Sequence, residues 1–100
     1  MWTPVAASDE VAEGLPKSVV VDDRRLGVYR VDGTVYALED VCPHAHVLLS
    51  HGVVHLDEVE CPLHGARFHV ATGACRRGPK VRDLHTYQAC ENDGTIFVEI

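Results

Sequence analysis

Two short cassettes of metal-binding residues constrain this chain more than any other feature of its sequence. The cassettes, Cys42-Pro43-His44 and Cys61-Pro62-Leu63-His64, each pair one thiol with one imidazole, and residues 45–60 separate them. A set of two sulfur ligands and two imidazole ligands suits zinc or an iron–sulfur centre. A fold that uses all four residues must therefore bring two separate loops together at one point.

The residues around these ligands favour tight loops rather than continuous strands. Val41 precedes the first cassette after an apparent strand, and Val59-Glu60 precedes the second. Pro43 and Pro62 fix φ and donate no amide hydrogen, so each proline stiffens its loop and leaves any β-ladder. Gly65 follows the second cassette and allows a sharp turn or a close approach to a metal. We therefore expect two hairpin-like loops whose tips meet around one metal centre.

Most of the chain is predicted to consist of short strands joined by turns. Asp32-Gly33 and the segment 92–94 each lie between two apolar-rich runs, which is typical of β-hairpins. The predicted strands cover residues 17–21, 26–31, 34–38, 52–55, 58–60, 67–70, 85–91 and 95–100, with one helical turn over 8–13. This pattern predicts a single all-β domain over residues 1–100, built as a sandwich or small barrel.

Charge and hydropathy limit the partners of the chain. Nine basic and fifteen acidic residues give a formal net charge of −6, which repels nucleic-acid phosphates and anionic lipids. No apolar run is long enough to span a membrane, and the first residues lack the pattern of a signal peptide. We therefore expect a soluble, cytoplasmic protein that binds neither nucleic acid nor membrane. In that reducing compartment the four cysteines are ligands or thiols rather than a disulfide framework.

The order of the ligands discriminates between the two kinds of metal site. Zinc fingers usually place two cysteines in one arm and two histidines in the other. Each arm of this chain contributes one residue of each type, which favours an iron–sulfur centre. A zinc-stapled interaction module without a redox role is the alternative from a different functional class.

Together with a later Gly78-Pro79, the two cassettes resemble those of Rieske-type [2Fe–2S] proteins. The resemblance extends from the predicted hairpin around residue 32 to the final strand. It implies a Rieske-like antiparallel β-sandwich with a small cluster-binding subdomain of two hairpin loops, over about residues 41–79.

The resemblance also implies one [2Fe–2S] cluster and its ligands. Cys42 and Cys61 would bind one iron, and His44 and His64 would bind the other. Gly78-Pro79 would form a third loop that covers the cluster.

Departures from the Rieske proteins of respiratory and photosynthetic complexes are also informative. Those proteins typically carry an extra disulfide between the ligand loops, but Val47 and Leu63 stand at the corresponding positions here. They also present hydroxyl groups to the cluster sulfurs, where this chain has Ala66 and Phe68. Because hydrogen bonds to sulfur stabilise the reduced state, we expect a potential near the low end of the Rieske range, which begins at about −150 mV.

This pattern is most similar to the stand-alone ferredoxin component of bacterial ring-hydroxylating oxygenase systems. The similarity implies a carrier of single electrons from a flavin-dependent reductase to a terminal Rieske oxygenase. One hundred residues cannot also supply the large mononuclear-iron domain of such an oxygenase, so we do not expect the chain to be an enzyme. A small Rieske subunit of a nitrite reductase is the alternative within the same chemistry.

Two further features outside the cassettes lead to weaker predictions. The bases Arg76, Arg77, Lys80 and Arg82 surround Gly78-Pro79. A solvated turn is the simpler interpretation of these bases, and a patch that orients a partner is the other. Cys90 is predicted to be a small core residue, and Cys75 is predicted to have no specific role.

Overall fold

The computed structural model describes residues 1–43, 45–63, 65–78 and 81–100. Within them, eleven strands form three antiparallel sheets. The strands are β1 (Trp2–Ala7), β2 (Lys17–Val21), β3 (Arg24–Val31), β4 (Thr34–Glu39), β5 (Val53–His55), β6 (Glu58–Glu60), β7 (Arg67–His69), β8 (Cys75–Arg77), β9 (Thr86–Tyr87), β10 (Ala89–Asn92) and β11 (Thr95–Glu99). The 3₁₀ turns are Ser8–Glu10 and Leu49–His51, so the predicted helical turn is shorter than expected. None of the helical segments among the described residues has the length and hydropathy of a membrane span.

The predicted hairpins are confirmed and have the backbone that their turn residues favour. Asp32 and Gly33 join β3 to β4 with φ angles of 51° and 80°. Asp93 and Gly94 join β10 to β11 with φ angles of 50° and 79°. Positive φ at both central residues is typical of the two-residue turn whose twist matches that of antiparallel strands. Local turn chemistry therefore explains both hairpins.

Two of the sheets share a core. One has the strand order β2-β3-β4-β9 and the other β1-β11-β10. Their apolar side chains form two buried clusters: Val11, Val28, Val35 and Ile96 in one, and Val21, Leu26, Ala37 and Val98 in the other. Burying an aliphatic side chain of this size contributes roughly 1.5–3 kcal/mol. These clusters hold the sandwich together away from the cassettes.

The strand β10 corrects one of the predictions. Cys90 is exposed, so the expectation that it is a core residue is wrong. In the ladder Cys90 pairs with Phe97, whereas the fully buried Ile96 and Val98 pair with Glu91 and Ala89. Because side chains alternate between the faces of a strand, Cys90 lies on the face away from the core.

An ion pair also ties the two sheets together. Nη2 of Arg30 on β3 lies 2.6 Å from Oε2 of Glu91 on β10, and Nη1 lies 3.0 Å from Oε1. The Nε–H of Arg30 donates to the carbonyl oxygen of Val11 at 2.8 Å. The hydrogen bonds from Arg30 to the carboxylate of Glu91 lower the pKa of Glu91 to about 2. The two-pronged geometry is the strong form of a guanidinium–carboxylate pair.

The third sheet, with the order β5-β6-β7-β8, carries the second cassette between β6 and β7. A separate buried cluster joins this sheet to β3, β4 and the segment after β4. Its members are Tyr29, Leu38, Cys42, Leu49, Val59, Cys61, Ala66, Phe68, Val70 and Leu84. The cysteines of both cassettes therefore lie in one apolar core.

Candidate metal centre

The first ligand loop begins where β4 ends. Val41 forms an antiparallel bridge with Leu48, which closes the loop at its base. Inside that bridge, the N–H of Cys42 donates to the carbonyl oxygen of Val47 at 3.0 Å, and the carbonyl oxygen of Cys42 accepts from the N–H of Ala45 at 3.2 Å. Cys42 is only 2% exposed. The thiol is thus held at the buried base of a closed loop.

The second ligand loop connects two paired strands, β6 and β7. The N–H of Cys61 donates to the carbonyl oxygen of Ala66 at 2.7 Å, and the N–H of Gly65 donates to the carbonyl oxygen of Cys61 at 3.2 Å. Gly65 has a φ of +75°, a conformation in which glycine is favoured over other residues. Cys61 is 1% exposed. The expected sharp turn after the second cassette is therefore present.

The two loops close in the same way although their sequences differ. In each of them the cysteine N–H donates to the carbonyl oxygen five residues later, which is Val47 for Cys42 and Ala66 for Cys61. In both, the chain returns directly beside the cysteine. Two buried cysteines therefore occupy equivalent positions in two hairpin loops, and their sharing of one metal centre stays a prediction.

The two histidines of the cassettes, His44 and His64, lie outside the described residues, as do Pro79 and Lys80. Among the described residues there is no group of three or more His, Cys, Asp or Glu side chains placed to hold a metal ion. The assignment of all four ligands thus stays a prediction. All four cysteines are described, and none of them forms a disulfide.

A third segment packs against the second ligand loop at Gly78. A Cβ atom at Gly78 would lie 2.7 Å from the Cα of Ala66 and 3.0 Å from the carbonyl oxygen of Gly65. The φ of Gly78 is +87°, which also favours glycine. The backbone after β8 therefore lies against the second cassette loop, where the resemblance places a covering segment.

Asp40 supports the first loop, and the sequence offered no signal for it. Its carboxylate is fully buried and accepts the N–H of Ser50 at Oδ1 and the hydroxyl of Ser50 at Oδ2, both at 2.8 Å. The carbonyl oxygen of Asp40 accepts the N–H of Leu49 at 2.7 Å. Asp40 thereby binds the segment that follows the loop to the strand that precedes it. Only burial distinguishes it from the other acidic residues of the chain.

Glu60 supports the second loop from the position directly before Cys61. Its Oε1 accepts from Nε of Arg67 at 3.0 Å and lies 2.9 Å from Nε2 of His55. The hydrogen bond from Arg67, together with His55, holds the pKa of Glu60 below its ordinary value. Glu60 thus links the two strands that carry the second loop to β5.

The buried surroundings of the cysteines are mostly apolar. Ala66 and Phe68 are both fully buried, and neither has a hydroxyl group. Tyr29 brings a phenol into the same cluster, and within the described part of the chain its oxygen has no hydrogen-bond partner. Burial, with a contribution from Asp40, raises the pKa of Tyr29. Ala66 and Phe68 therefore supply no hydroxyl donor to the pocket around the cysteines, and the low potential expected from the sequence stays a prediction.

Comparison with known families identifies a match over most of the chain. The family model described as the Rieske [2Fe–2S] domain matches residues 1–88. The matched region contains both cassettes, Gly78 and the three sheets up to β9.

Individual relatives match over nearly their whole length. The ferredoxin component of the naphthalene 1,2-dioxygenase system of Pseudomonas putida is 35% identical over 99 residues, which are 99% of this chain and 95% of that protein. The structure of the Sphingomonas yanoikuyae B1 ferredoxin superposes with a TM-score of 0.94 and 30% identity, and the match covers 100% of this chain and 99% of that one. A structure described as a complex of reduced oxygenase and oxidized ferredoxin in carbazole 1,9a-dioxygenase matches with a TM-score of 0.88 and 34% identity. This match covers 97% of the present chain and 91% of the other.

Proposed function

The chain belongs to the Rieske [2Fe–2S] domain family, and from this premise we propose that it is the ferredoxin component of an aromatic-ring dioxygenase system. The observation that carries the proposal is the length of the match. The naphthalene dioxygenase ferredoxin of Pseudomonas putida is covered over 95% of its length, so the likeness extends to a whole electron carrier rather than to one domain of an oxygenase. The chain is an electron carrier, not the catalytic component.

We assign the ligands of its single [2Fe–2S] cluster to the two cassettes. Cys42 and Cys61 would hold one iron, and His44 and His64 would hold the other. The equal closure of the two loops and the burial of both thiols support the cysteine pair. When bound, the cluster takes up and releases one electron at a time. The domain that presents it comprises residues 1–100, with the ligand loops over about 41–79.

The chain itself shapes the surroundings of the cluster. Ala66 and Phe68 exclude water on the protein side, because both are fully buried. On the outer side, Leu63 of the second cassette is 57% exposed. This asymmetry leaves the tip of the second loop accessible to another protein while Cys61 at its base stays buried.

The proposal includes two partners and a compartment. The carbazole 1,9a-dioxygenase structure is described as a ferredoxin in complex with its oxygenase, and the present chain has the same fold as that ferredoxin. We therefore take a terminal oxygenase as the acceptor and a flavin-dependent reductase as the donor of the electron. The compartment that we propose is the cytoplasm, where a reducing environment keeps cysteines available as metal ligands.

A reconstitution experiment tests the function. The purified protein is expected to contain two irons and two acid-labile sulfides, and to take up one electron. Anaerobic mixing of the reduced protein with oxidised terminal oxygenases, including those of the naphthalene and carbazole systems, should transfer that electron within seconds. A Cys61→Ser variant, which lacks a ligand, is the control. If the intact protein transfers no electron to any oxygenase of the set, the proposal is wrong.

A further inference from the structure

Four residues lie side by side in the row of the third sheet next to the second ligand loop. The strand registers pair Val53 with Glu60, Glu60 with Arg67, and Arg67 with Arg77. Glu60 directly precedes Cys61, and the chain leaves the loop at Arg67. We call these four residues the border row. Among the charged side chains of this sheet, Glu60 and Arg67 are the nearest in sequence to the second cassette.

The border row contains an unfavourable pair. Arg67 and Arg77 are direct cross-strand partners, and like charges in that relationship destabilise an antiparallel ladder. Glu60 compensates Arg67, since its Oε1 accepts from Nε of Arg67 at 3.0 Å. Arg77 makes no ion pair with any residue that the structure describes. The border row therefore retains one excess positive charge, on Arg77.

The acidic groups near this row are engaged elsewhere. Oε2 of Glu58 lies 3.7 Å from Nη1 of Arg76, and Oε2 of Glu39 accepts from Nη2 of Arg82 at 2.9 Å. The third, Asp83, accepts the backbone N–H of Cys75 at 2.9 Å. These carboxylates offset the neighbouring arginines and leave the charge of Arg77 exposed.

The distribution of charge along the chain strengthens the contrast. Residues 61–85 hold five of the nine bases and one of the fifteen acids, which is a net charge of +4, while the rest of the chain carries −10. The segment that forms the second loop, β7, β8 and the third loop is thus basic within an acidic protein. A shallow cleft of about 260 Å³ lies there, lined by Cys75, Arg76, Arg77 and Gly78.

We propose that Arg77, with Arg76 beside it, forms a docking site for carboxylate side chains on the acidic surface of a redox partner. Gly78, the next residue, contacts the second ligand loop, so a partner bound at this site is held beside the loop that carries the proposed ligand Cys61. Guanidinium groups bind carboxylates through two parallel hydrogen bonds, which fixes orientation as well as position. The inference rests on the proposed function and adds the chemistry of the surface that the partner presents. Arg77 lies opposite Arg67 although the two like charges lower stability, and a role of Arg77 in recognition accounts for this arrangement.

The sign of the local charge can be measured with a small anion. The trianion hexacyanoferrate(III) takes one electron from the reduced protein and becomes hexacyanoferrate(II), without forming a bond to the protein. A net charge of −6 repels this oxidant. If the net charge of the whole molecule governed the encounter, the oxidation rate would therefore rise with ionic strength. A positive surface beside the second ligand loop predicts the opposite slope, with a rate that falls as salt is added.

A matched pair of variants isolates Arg77. Arg77→Gln and Asn92→Asp each lower the net charge by one, but Asn92 lies in the sheet that does not carry the ligand loops. Arg77→Gln should slow the low-salt oxidation by about threefold to tenfold, and Asn92→Asp by less than about twofold. The reduction potential of each protein is measured as well, so that a change in driving force is separated from a change in the encounter rate. A wild-type rate that rises with salt, or equal effects of the two variants, would overturn the proposal.

An equilibrium measurement separates this proposal from the proposed function. Hexacyanochromate(III), a redox-inert paramagnetic trianion, should broaden the NMR signals of the Arg76 and Arg77 Nε–H groups more than that of Arg30, which pairs with Glu91. This experiment requires no electron transfer. A protein that binds the anion at Arg77 but has no redox centre would contradict the function alone, and a protein that reduces oxygenase without such binding would contradict the docking site alone.

Discussion

Asp40 and Ser50 form a closed pair beneath the first ligand loop, in which both oxygens of a fully buried carboxylate accept hydrogen bonds from one serine at 2.8 Å. The pair holds the strand before the loop against the segment after it. Residues 42–48 lie between these two segments. The geometry of the first cassette therefore depends on a contact that includes neither of its ligands.

Removal of this pair should destabilise the protein. Ser50→Ala deletes one hydrogen bond to a charged group, which is worth about 1.5–3 kcal/mol of unfolding free energy. Asp40→Asn should cost at least as much, because its amide NH₂ would face one of the two donors of Ser50. Urea unfolding of the holoprotein measures both effects. Ser18→Ala is the control, since the hydroxyl of Ser18 accepts an exposed hydrogen bond from Arg25. Equal losses for Ser18→Ala and Ser50→Ala would show that the pair is unimportant.

Gly78→Ala tests the contact between the third segment and the second loop. Gly33→Ala is the matched control, because Gly33 also has a positive φ, of +80°, but an added Cβ there meets no atom within 4 Å. The control should lose about 1–2 kcal/mol of unfolding free energy through backbone strain alone. Gly78→Ala should lose more, and should also release its cluster faster, as followed by the decay of visible absorption. Equal behaviour of the two variants would mean that Gly78 does not hold the loop.

Leu56 is a position where a substitution should stabilise the fold. It lies in the turn between β5 and β6 with a φ of +58° and is 93% exposed, so its side chain contributes little burial. Glycine removes about 1–2 kcal/mol of strain and costs roughly 0.5–1 kcal/mol of chain entropy, a net gain of about 0.5–1 kcal/mol for Leu56→Gly. Thermal unfolding would measure the gain. Leu15→Gly, at an exposed leucine without a positive φ, should instead lose stability.

The ion pair between Arg30 and Glu91 predicts that the stability of the fold depends on pH. The pKa of Glu91 is lowered from 4.5 to about 2, so the folded state binds its proton more weakly than the unfolded state. The contribution of the pair is therefore complete above about pH 4.5 and is lost as the pH falls towards 2. Urea midpoints of wild type and Glu91→Gln should converge across this interval. A constant difference between the two proteins from pH 6 to pH 2 would exclude the linkage.

The parts of the fold that could be predicted from the sequence have local causes. The Asp-Gly turns at residues 32–33 and 93–94 require positive φ angles that their residue types tolerate, so both hairpins were predictable. The pairing of β1 with β11, which puts Trp2 opposite Glu99, joins the two ends of the chain. No local pattern encodes such a contact, and the strand β1 was missed.

The candidate site also contains some residues that could be predicted from the sequence and others that could not. Its cysteines and histidines are visible in the sequence because their side chains are chemically distinctive. The supporting contacts of Asp40 and Glu60 depend on burial and on register, which the spacing of residues does not reveal. The same reason explains the error at Cys90, because an alternating strand does not indicate which of its faces is buried.

The assignment of four cluster ligands is the central claim. Its two histidines lie outside the described residues and therefore need the most direct test. Pulsed EPR on the reduced protein, labelled with ¹⁵N only in histidine, counts the imidazoles bound to the cluster. We predict two ¹⁵N couplings in the wild type, one in His44→Cys, one in His64→Cys, and two in the control His46→Asn. Two couplings in either cysteine variant, or none in the wild type, would contradict the assignment.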